Sequence, residues 1–132
     1  MATRTKAKQR AKAKAEYDVF LATCPSRQLL DRLSDKWVTL VMVALEGGPR
    51  RYSQLSRTIA GVSQKMLTQT LRTLERDGLV TRTVTASVPV TVTYELTGLG
   101  QSLQLVIHGL KDWAESNMGE VLAARSSYDA QP

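Results

Sequence analysis

The stretch SQLSRTIAGVSQKMLTQTLRTLERDG, Ser53 to Gly78, decides the fold. Ser53 is suited to cap a short helix carrying Leu55 and Ile59, because a serine hydroxyl accepts an otherwise unbonded N–H of a first turn. Ala60-Gly61-Val62 reads as a tight turn. Ser63 then caps a second helix, with Met66, Leu67, Thr70, Leu71 and Leu74 facing inward at helical spacing and Gly78 stopping it. Two capped helices joined by a glycine-containing turn of about three residues form a helix-turn-helix pattern.

On the C-terminal side, Leu79 to Thr85 is a β-branched run, and Ala86-Ser87-Val88-Pro89 separates it from Val90 to Leu96. The second run alternates, with Val90, Val92, Tyr94 and Leu96 expected inward and Thr91, Thr93 and Glu95 outward. A hairpin directly after a helix-turn-helix is the wing of a winged helix. From Thr97 a long helix carries Leu99, Leu103, Val106, Leu110 and Trp113 at alternating spacings of four and three, a heptad-like seam widened by Ile107 and Ala114. On the N-terminal side, a helix from about Asp35 to Glu46 is apolar nearly all round and reads as the buried central helix, ended by Gly47-Gly48-Pro49. Before it, Cys24-Pro25-Ser26 looks like a helix start, followed by Leu29, Leu30 and Leu33 on one face. Tyr17, Phe20 and Leu21 supply a short apolar patch. A small domain cannot readily cover both the Leu29–Leu33 stripe and the Leu99–Trp113 seam. The expectation is therefore a homodimer whose interface includes Leu29, Leu33, Leu99, Leu103, Val106, Leu110 and Trp113.

The fold class expected is mainly α with a small β-hairpin: a winged helix-turn-helix with extra N- and C-terminal dimerisation helices. Residues 1–15 read as a disordered basic arm, 16–120 as the domain with its dimerisation helices, and 121–132 as a frayed tail.

Charge supports a polyanionic partner. The 132 residues carry a net charge of +6, and the positive residues are not evenly spread. Arg4, Lys6, Lys8, Arg10, Lys12 and Lys14 occupy the first fourteen positions with no acid among them. From Arg50 to Arg82 there are seven bases against two acids, whereas beyond Arg82 there are two bases and five acids. Positive charge is thus concentrated in the arm and in the helix-turn-helix, as expected for double-stranded DNA as partner. On the second helix of the motif, Lys65, Thr68 and Arg72 fall on one outward stripe, with Gln64, Gln69 and Arg76 beside it. Gln pairs with adenine, Lys and Arg reach the guanine acceptors, and Thr touches the thymine methyl. Arg72 and Arg76 are placed for phosphates, as are Ser53 and Ser63 with the N–H groups of their helix starts, and Arg82 on the first strand.

Other functions find little support. There is no nucleophile motif, no Gly-rich phosphate loop and no close set of His and carboxylates, so no enzyme and no cofactor is expected. His108 stands without a second His or Cys at metal-ligand spacing, so no metal is expected, and Cys24 has no cysteine to pair with in its own chain. No apolar run approaches a membrane span and none of the first residues resembles a signal peptide, so the expected location is the cytoplasm, with no membrane partner.

The residues named so far resemble the HxlR-type family of bacterial regulators across about Cys24 to Trp113. The matching pieces are Cys24-Pro25, Lys36-Trp37, Tyr52-Ser53-Gln54-Leu55, and above all Gly61-Val62-Ser63-Gln64-Lys65-Met66-Leu67-Thr68-Gln69, continuing through Leu71-Arg72, Leu74-Glu75 and Asp77-Gly78-Leu79-Val80. Val88-Pro89, Tyr94, Leu96-Thr97 and Leu99-Gly100 complete the set. Departures fall at Ser87, Val90 and Thr93 in the wing, where the family usually has an acid, a second Pro and Glu, and at Ser34-Asp35, where it often has glycines. The resemblance implies a dimeric regulator on near-palindromic promoter sites, often a repressor and sometimes an activator. It also implies a candidate sensor of oxidants or electrophiles, since several members sense through a cysteine at the position of Cys24. The position suits such chemistry: a thiol at a helix N-terminus sits in a field that favours the reactive thiolate. A noncovalent small ligand at the dimer interface and a nonspecific DNA-coating role are the competing readings.

Overall fold

The computed structural model describes residues 2–132, the side chains of residues 2–4 and 21 aside. Arg4 of the basic arm and Leu21 of the apolar patch therefore lie outside the described side chains. In chain order the elements are α1 (Ala2–Thr23), α2 (Pro25–Leu33), α3 (Lys36–Ala44), β1 (Arg50–Arg51), α4 (Tyr52–Thr58), α5 (Gln64–Arg76), β2 (Val80–Thr85), β3 (Thr91–Leu96) and α6 (Gly98–Asp129). They divide into two compact units, residues 1–36 and 37–132.

In the first unit the sequence expects a disordered arm over residues 1–15, whereas residues 2–15 belong to α1, Met1 lying outside the described residues. The reason is local: Ala, Lys, Arg and Gln are strong helix formers, and no Gly or Pro interrupts the run before Pro25. The Thr23 hydroxyl donates back to the carbonyls of Val19 (3.2 Å) and Phe20 (3.1 Å), and Cys24 then turns extended, as the residue before a proline prefers. Pro25 opens α2 at its first position, as the sequence suggests. No residue of α2 is buried, and Tyr17, Val19, Phe20 and Leu30 are each more than half exposed.

The second unit holds the core. Val38, Val41, Met42 and Leu45 from the α3 region meet Leu55 and Ile59 of the α4 region, Leu67, Leu71 and Leu74 of α5, and Leu79, Val80, Tyr94 and Leu96 at the base of the sheet. Leu40 remains 43% exposed, so α3 is central but open on one side rather than buried all round. The sheet has three antiparallel strands in the order β1-β3-β2, with Arg50 opposite Tyr94 and Val80 opposite Leu96. β1 is only two residues long, too short to leave an alternating pattern in the sequence.

The wing alternates only at its base. Tyr94 and Leu96 are buried, Val92 is half-buried and Val90 is 65% exposed, against the expectation that all four face inward. The hairpin runs out past the helices, so its outer half has nothing to cover it. At the tip, where Val88–Pro89 is cis, the Ser87 hydroxyl donates to the Pro89 carbonyl at 2.8 Å.

Strand and last helix are joined tightly. Thr97 caps α6 by accepting the Gly100 N–H, while its own hydroxyl donates to the Gly78 carbonyl at 2.6 Å. Gly100 lies against the chain at Leu79, where a Cβ would overlap the carbonyl oxygen. α6 continues to Asp129, well past residue 121 where fraying is expected, because no Gly-Pro break follows and Glu120 to Ser127 holds good helix formers. Ile107 is buried on the core side of α6 together with Gln104, whose amide donates to the Met42 carbonyl at 3.3 Å, so Ile107 does not widen the outer seam. Leu99, Val106, Leu110 and Trp113 are each more than half exposed, and Leu103 is half-buried.

Candidate nucleic-acid interface

Helix α5 is positioned from both ends and from behind. Ser63 caps it, its hydroxyl oxygen accepting the Met66 N–H at 3.1 Å, and Gly78 leaves it at a positive φ of 74° that a residue with a Cβ rarely adopts. Behind, Leu67, Thr70, Leu71 and Leu74 are buried, which turns the opposite face outward. On that face Gln64, Lys65, Gln69 and Arg72 are exposed and Thr68 is half-buried, and the five line one open depression. A second depression shares Thr68 and Arg72 and adds Glu75, Arg82 and Tyr94, carrying the surface from α5 onto the wing. A third shares Gln64 and adds Tyr52, Ser53, Ser56 and Arg57 of α4. The structure thus brings Ser53, Gln64, Lys65, Thr68, Gln69, Arg72 and Arg82 onto one concave strip. Arg76 lines none of these hollows and stands exposed in the last turn of α5.

Ser53 sits differently from expectation. Arg51, not Ser53, occupies the N-cap of α4, and the start is closed by the Gln54 side chain accepting the Arg51 N–H at 2.9 Å. Pairing of Arg50 and Arg51 with β3 starts the helix two residues earlier than expected, which leaves Ser53 exposed within the first turn.

Sequence reasoning missed three contributors. Tyr52 donates its hydroxyl to the Gln64 carbonyl at 3.0 Å and lies 3.1 Å from the Thr68 hydroxyl, tying the start of α4 to the first turn of α5. Arg57 adds a cation on the α4 side, its Nε donating to the Ser53 carbonyl at 3.3 Å. Glu75 places one acid between Arg72 and Arg82. An aromatic residue beside the short helix is visible in sequence, but its reach to position 64 depends on the turn geometry.

Cys24 is half-buried at the N-cap of α2. Its thiol is held below the ordinary cysteine value, first by the backbone N–H of Arg27 and next by that of Ser26, with desolvation acting the other way and the Ser26 side chain adding to the lowering. His108 is bonded to Glu46, linking α6 to the end of α3. Among the described residues no group of three His, Cys, Asp or Glu is placed to hold a metal, and no helix is long and apolar enough to cross a membrane.

The profile of the HxlR-like helix-turn-helix family matches residues 32–121, which include all of α3 to β3 and most of α6. The chain belongs to this family. Its members are helix-turn-helix transcriptional regulators, and the motif supplies the DNA-binding element. The chain is similar to the HTH-type transcriptional regulator YtfH of Escherichia coli (strain K12), 44% identical over 110 residues, covering 83% of this chain and 87% of that protein. Among solved structures it is similar to the transcriptional regulator YtfH from Salmonella typhimurium, with a TM-score of 0.72 and 43% identity over 80% of this chain and 94% of that one. It is also similar to the redox regulator HypR in its oxidised form, with a TM-score of 0.67 and 37% identity over 71% of this chain and 97% of that one. The winged helix-turn-helix fold expected from sequence is the fold these neighbours share.

Proposed function

We propose that this HxlR-type regulator is a homodimeric, sequence-specific repressor of near-palindromic promoter sites. In this reading Gln64, Lys65, Thr68 and Gln69 meet base edges, while Ser53, Ser63, Arg72, Arg76 and Arg82 meet phosphates. The observation that carries the reading is the concave strip on α5, which holds cations and amides and continues onto the wing at Arg82. A 13-residue helix is about 20 Å long, and its polar face is of a size that enters the major groove.

Dimerisation is supported by the exposed apolar side chains of α6, Leu99, Val106, Leu110 and Trp113, together with the exposed Leu29 and half-buried Leu33 of α2. So long an apolar stripe left to water favours burial against a second copy. A two-fold dimer presents two α5 helices to two half-sites, which makes the operator near-palindromic.

Control through Cys24 is supported by its lowered pKa and by the similarity to a redox regulator. Two Cys24 thiols, one from each subunit, lose two protons and two electrons to an oxidant such as diamide and form one disulfide, the diamide becoming its hydrazine. That bond alters the spacing of the two α5 helices and hence operator affinity.

The test is a mobility-shift titration on the DNA upstream of the gene and on scrambled DNA, each reduced and diamide-treated, for wild type, Cys24→Ser and Lys65→Ala/Arg72→Ala. Selective binding that Lys65→Ala/Arg72→Ala abolishes, and that diamide alters only when Cys24 is present, is the expected result. Equal binding to both DNAs overturns sequence specificity in favour of coating. A diamide response that survives Cys24→Ser overturns the cysteine sensor and leaves a noncovalent effector as the signal.

A further inference from the structure

Helix α1 lies outside the region matched by the family profile, residues 32–121, and presents a surface of its own. Every described side chain from Thr5 to Phe20 is exposed. The helix carries Lys6, Lys8, Arg10, Lys12 and Lys14, and the first acid is Glu16.

At about 100° per residue, successive cations are turned by about 200°, so they separate into two rows. Lys6, Arg10 and Lys14 fall within about 80° of arc, and Lys8 and Lys12 lie on the opposite side. Ala7, Ala11 and Ala15 line one of the two strips between the rows. In an extended arm the same residues would point to one side; as a helix they form two opposed charged edges with a smooth face between them.

We propose that α1 is a second DNA-binding element that lies in a groove of duplex DNA, its two rows of cations on the two phosphate walls and its alanine face toward the groove floor. The proposal rests on the DNA-binding reading above. The two-sided charge selects the occupant. A flat anionic surface such as a membrane is matched by cations beside an apolar face, and between Thr5 and Ala15 the helix has no side chain apolar and larger than alanine. A groove about 12 Å wide, walled by phosphate on both sides, matches opposed rows. Lys6 to Lys14 span about 12 Å of helix axis, along which duplex DNA presents about seven phosphates, enough for all five cations. Glu16 and Asp18 stand four residues after Lys12 and Lys14, and such exposed pairs are too weak to withhold these lysines from phosphate. The binding is sequence-independent, because small alanines offer the bases no hydrogen bonds. It adds affinity and reach to any site the helix-turn-helix selects.

The test measures the salt dependence of binding of the full chain to a mixed-sequence duplex several helical turns long and to the upstream DNA. The variants are the five-fold change to Gln and each row separately, Lys6→Gln/Arg10→Gln/Lys14→Gln and Lys8→Gln/Lys12→Gln. Gln keeps the helix propensity of Lys and Arg, and circular dichroism checks that α1 remains. Each cation–phosphate pairing removed lowers the slope of log affinity against log salt by about 0.9, so the five-fold variant is expected to drop by up to about 4.5 per chain, and the separate rows by up to about 2.7 and 1.8. Both DNAs are expected to weaken by the same factor. An unchanged slope in the five-fold variant overturns the proposal, as does loss of binding to anionic phosphatidylserine vesicles with duplex binding intact. A slope that responds to one row alone overturns the groove geometry. If Lys65→Ala/Arg72→Ala still weakens binding while α1 variants do not, this proposal alone fails. If wild type binds neither duplex, the DNA-binding reading fails with it.

Discussion

Replacing Tyr52 with Phe tests whether the α4–α5 tie sets the position of the DNA-facing helix. The substitution keeps the ring and removes one hydroxyl, which donates to the Gln64 carbonyl and lies 3.1 Å from the Thr68 hydroxyl. Neither partner becomes a stranded buried group. The Gln64 carbonyl still has the N–H of Thr68 one turn on, and Thr68 is half-buried, within reach of water. The cost is therefore that of a net hydrogen bond, about 1 kcal/mol, rather than a desolvation penalty of several. With a urea slope of about 2 kcal/mol per molar, the unfolding midpoint should fall by about 0.5 M at fixed protein concentration. Thr68→Val removes the other hydroxyl, and the double variant should cost less than the sum of the two by about 0.5 kcal/mol, since they share one interaction. Operator affinity should weaken with the tie while the salt slope stays the same, because every cation that meets a phosphate is kept. Additive costs in the cycle, or a Tyr52→Phe midpoint equal to wild type, would refute the idea that this hydroxyl holds the two helices together. A loss above about 3 kcal/mol would refute it differently, by pointing to disrupted packing.

Gly100→Ala should destabilise the domain by about 1–3 kcal/mol in thermal or urea unfolding, because the new methyl meets the Leu79 carbonyl backbone rather than a side chain able to move. Gly109→Ala, where a Cβ meets nothing, is the control and should be neutral or slightly stabilising. Leu110→Glu/Trp113→Glu should convert a dimer to monomers in light scattering with the fold retained, since both side chains are exposed in the single chain. Alkylation of Cys24 by iodoacetamide should remain fast to lower pH than for a free cysteine. Its lowered pKa means that more thiolate persists as pH falls, and Arg27→Pro, which removes the N–H with the larger effect, should move the midpoint of the rate profile upward.

Much of the recognition surface is legible in the sequence because it depends on local chemistry. Ser63, Gly78 and the 3.6-residue spacing of Leu67, Leu71 and Leu74 define α5 and, by exclusion, its outward face. Pro25 marks the start of α2 and Thr97 the start of α6 for similar short-range reasons. The basic run declares its charge in sequence but not its state: spacing by two suggests a loose arm, whereas the helix propensity of Ala, Lys and Arg makes it helical.

What only the tertiary structure decided are matters of which neighbour arrives. Val90 and Leu96 share one strand pattern, yet one is in water and the other in the core, because the helices cover only the base of the hairpin. Ile107 and Val106 are adjacent and similar, yet α3 packs on one side of α6 and leaves the other open. Ser53 yields its expected cap to a two-residue strand paired with a segment more than forty positions away. Sequence determined α2 to α5, the wing and the start of α6, with the outward face of α5, and it carried the family resemblance, since these follow from interactions within a turn or two. Burial, the Tyr52 tie and the extent of the concave strip come from residues distant in the chain, and no local pattern carries them.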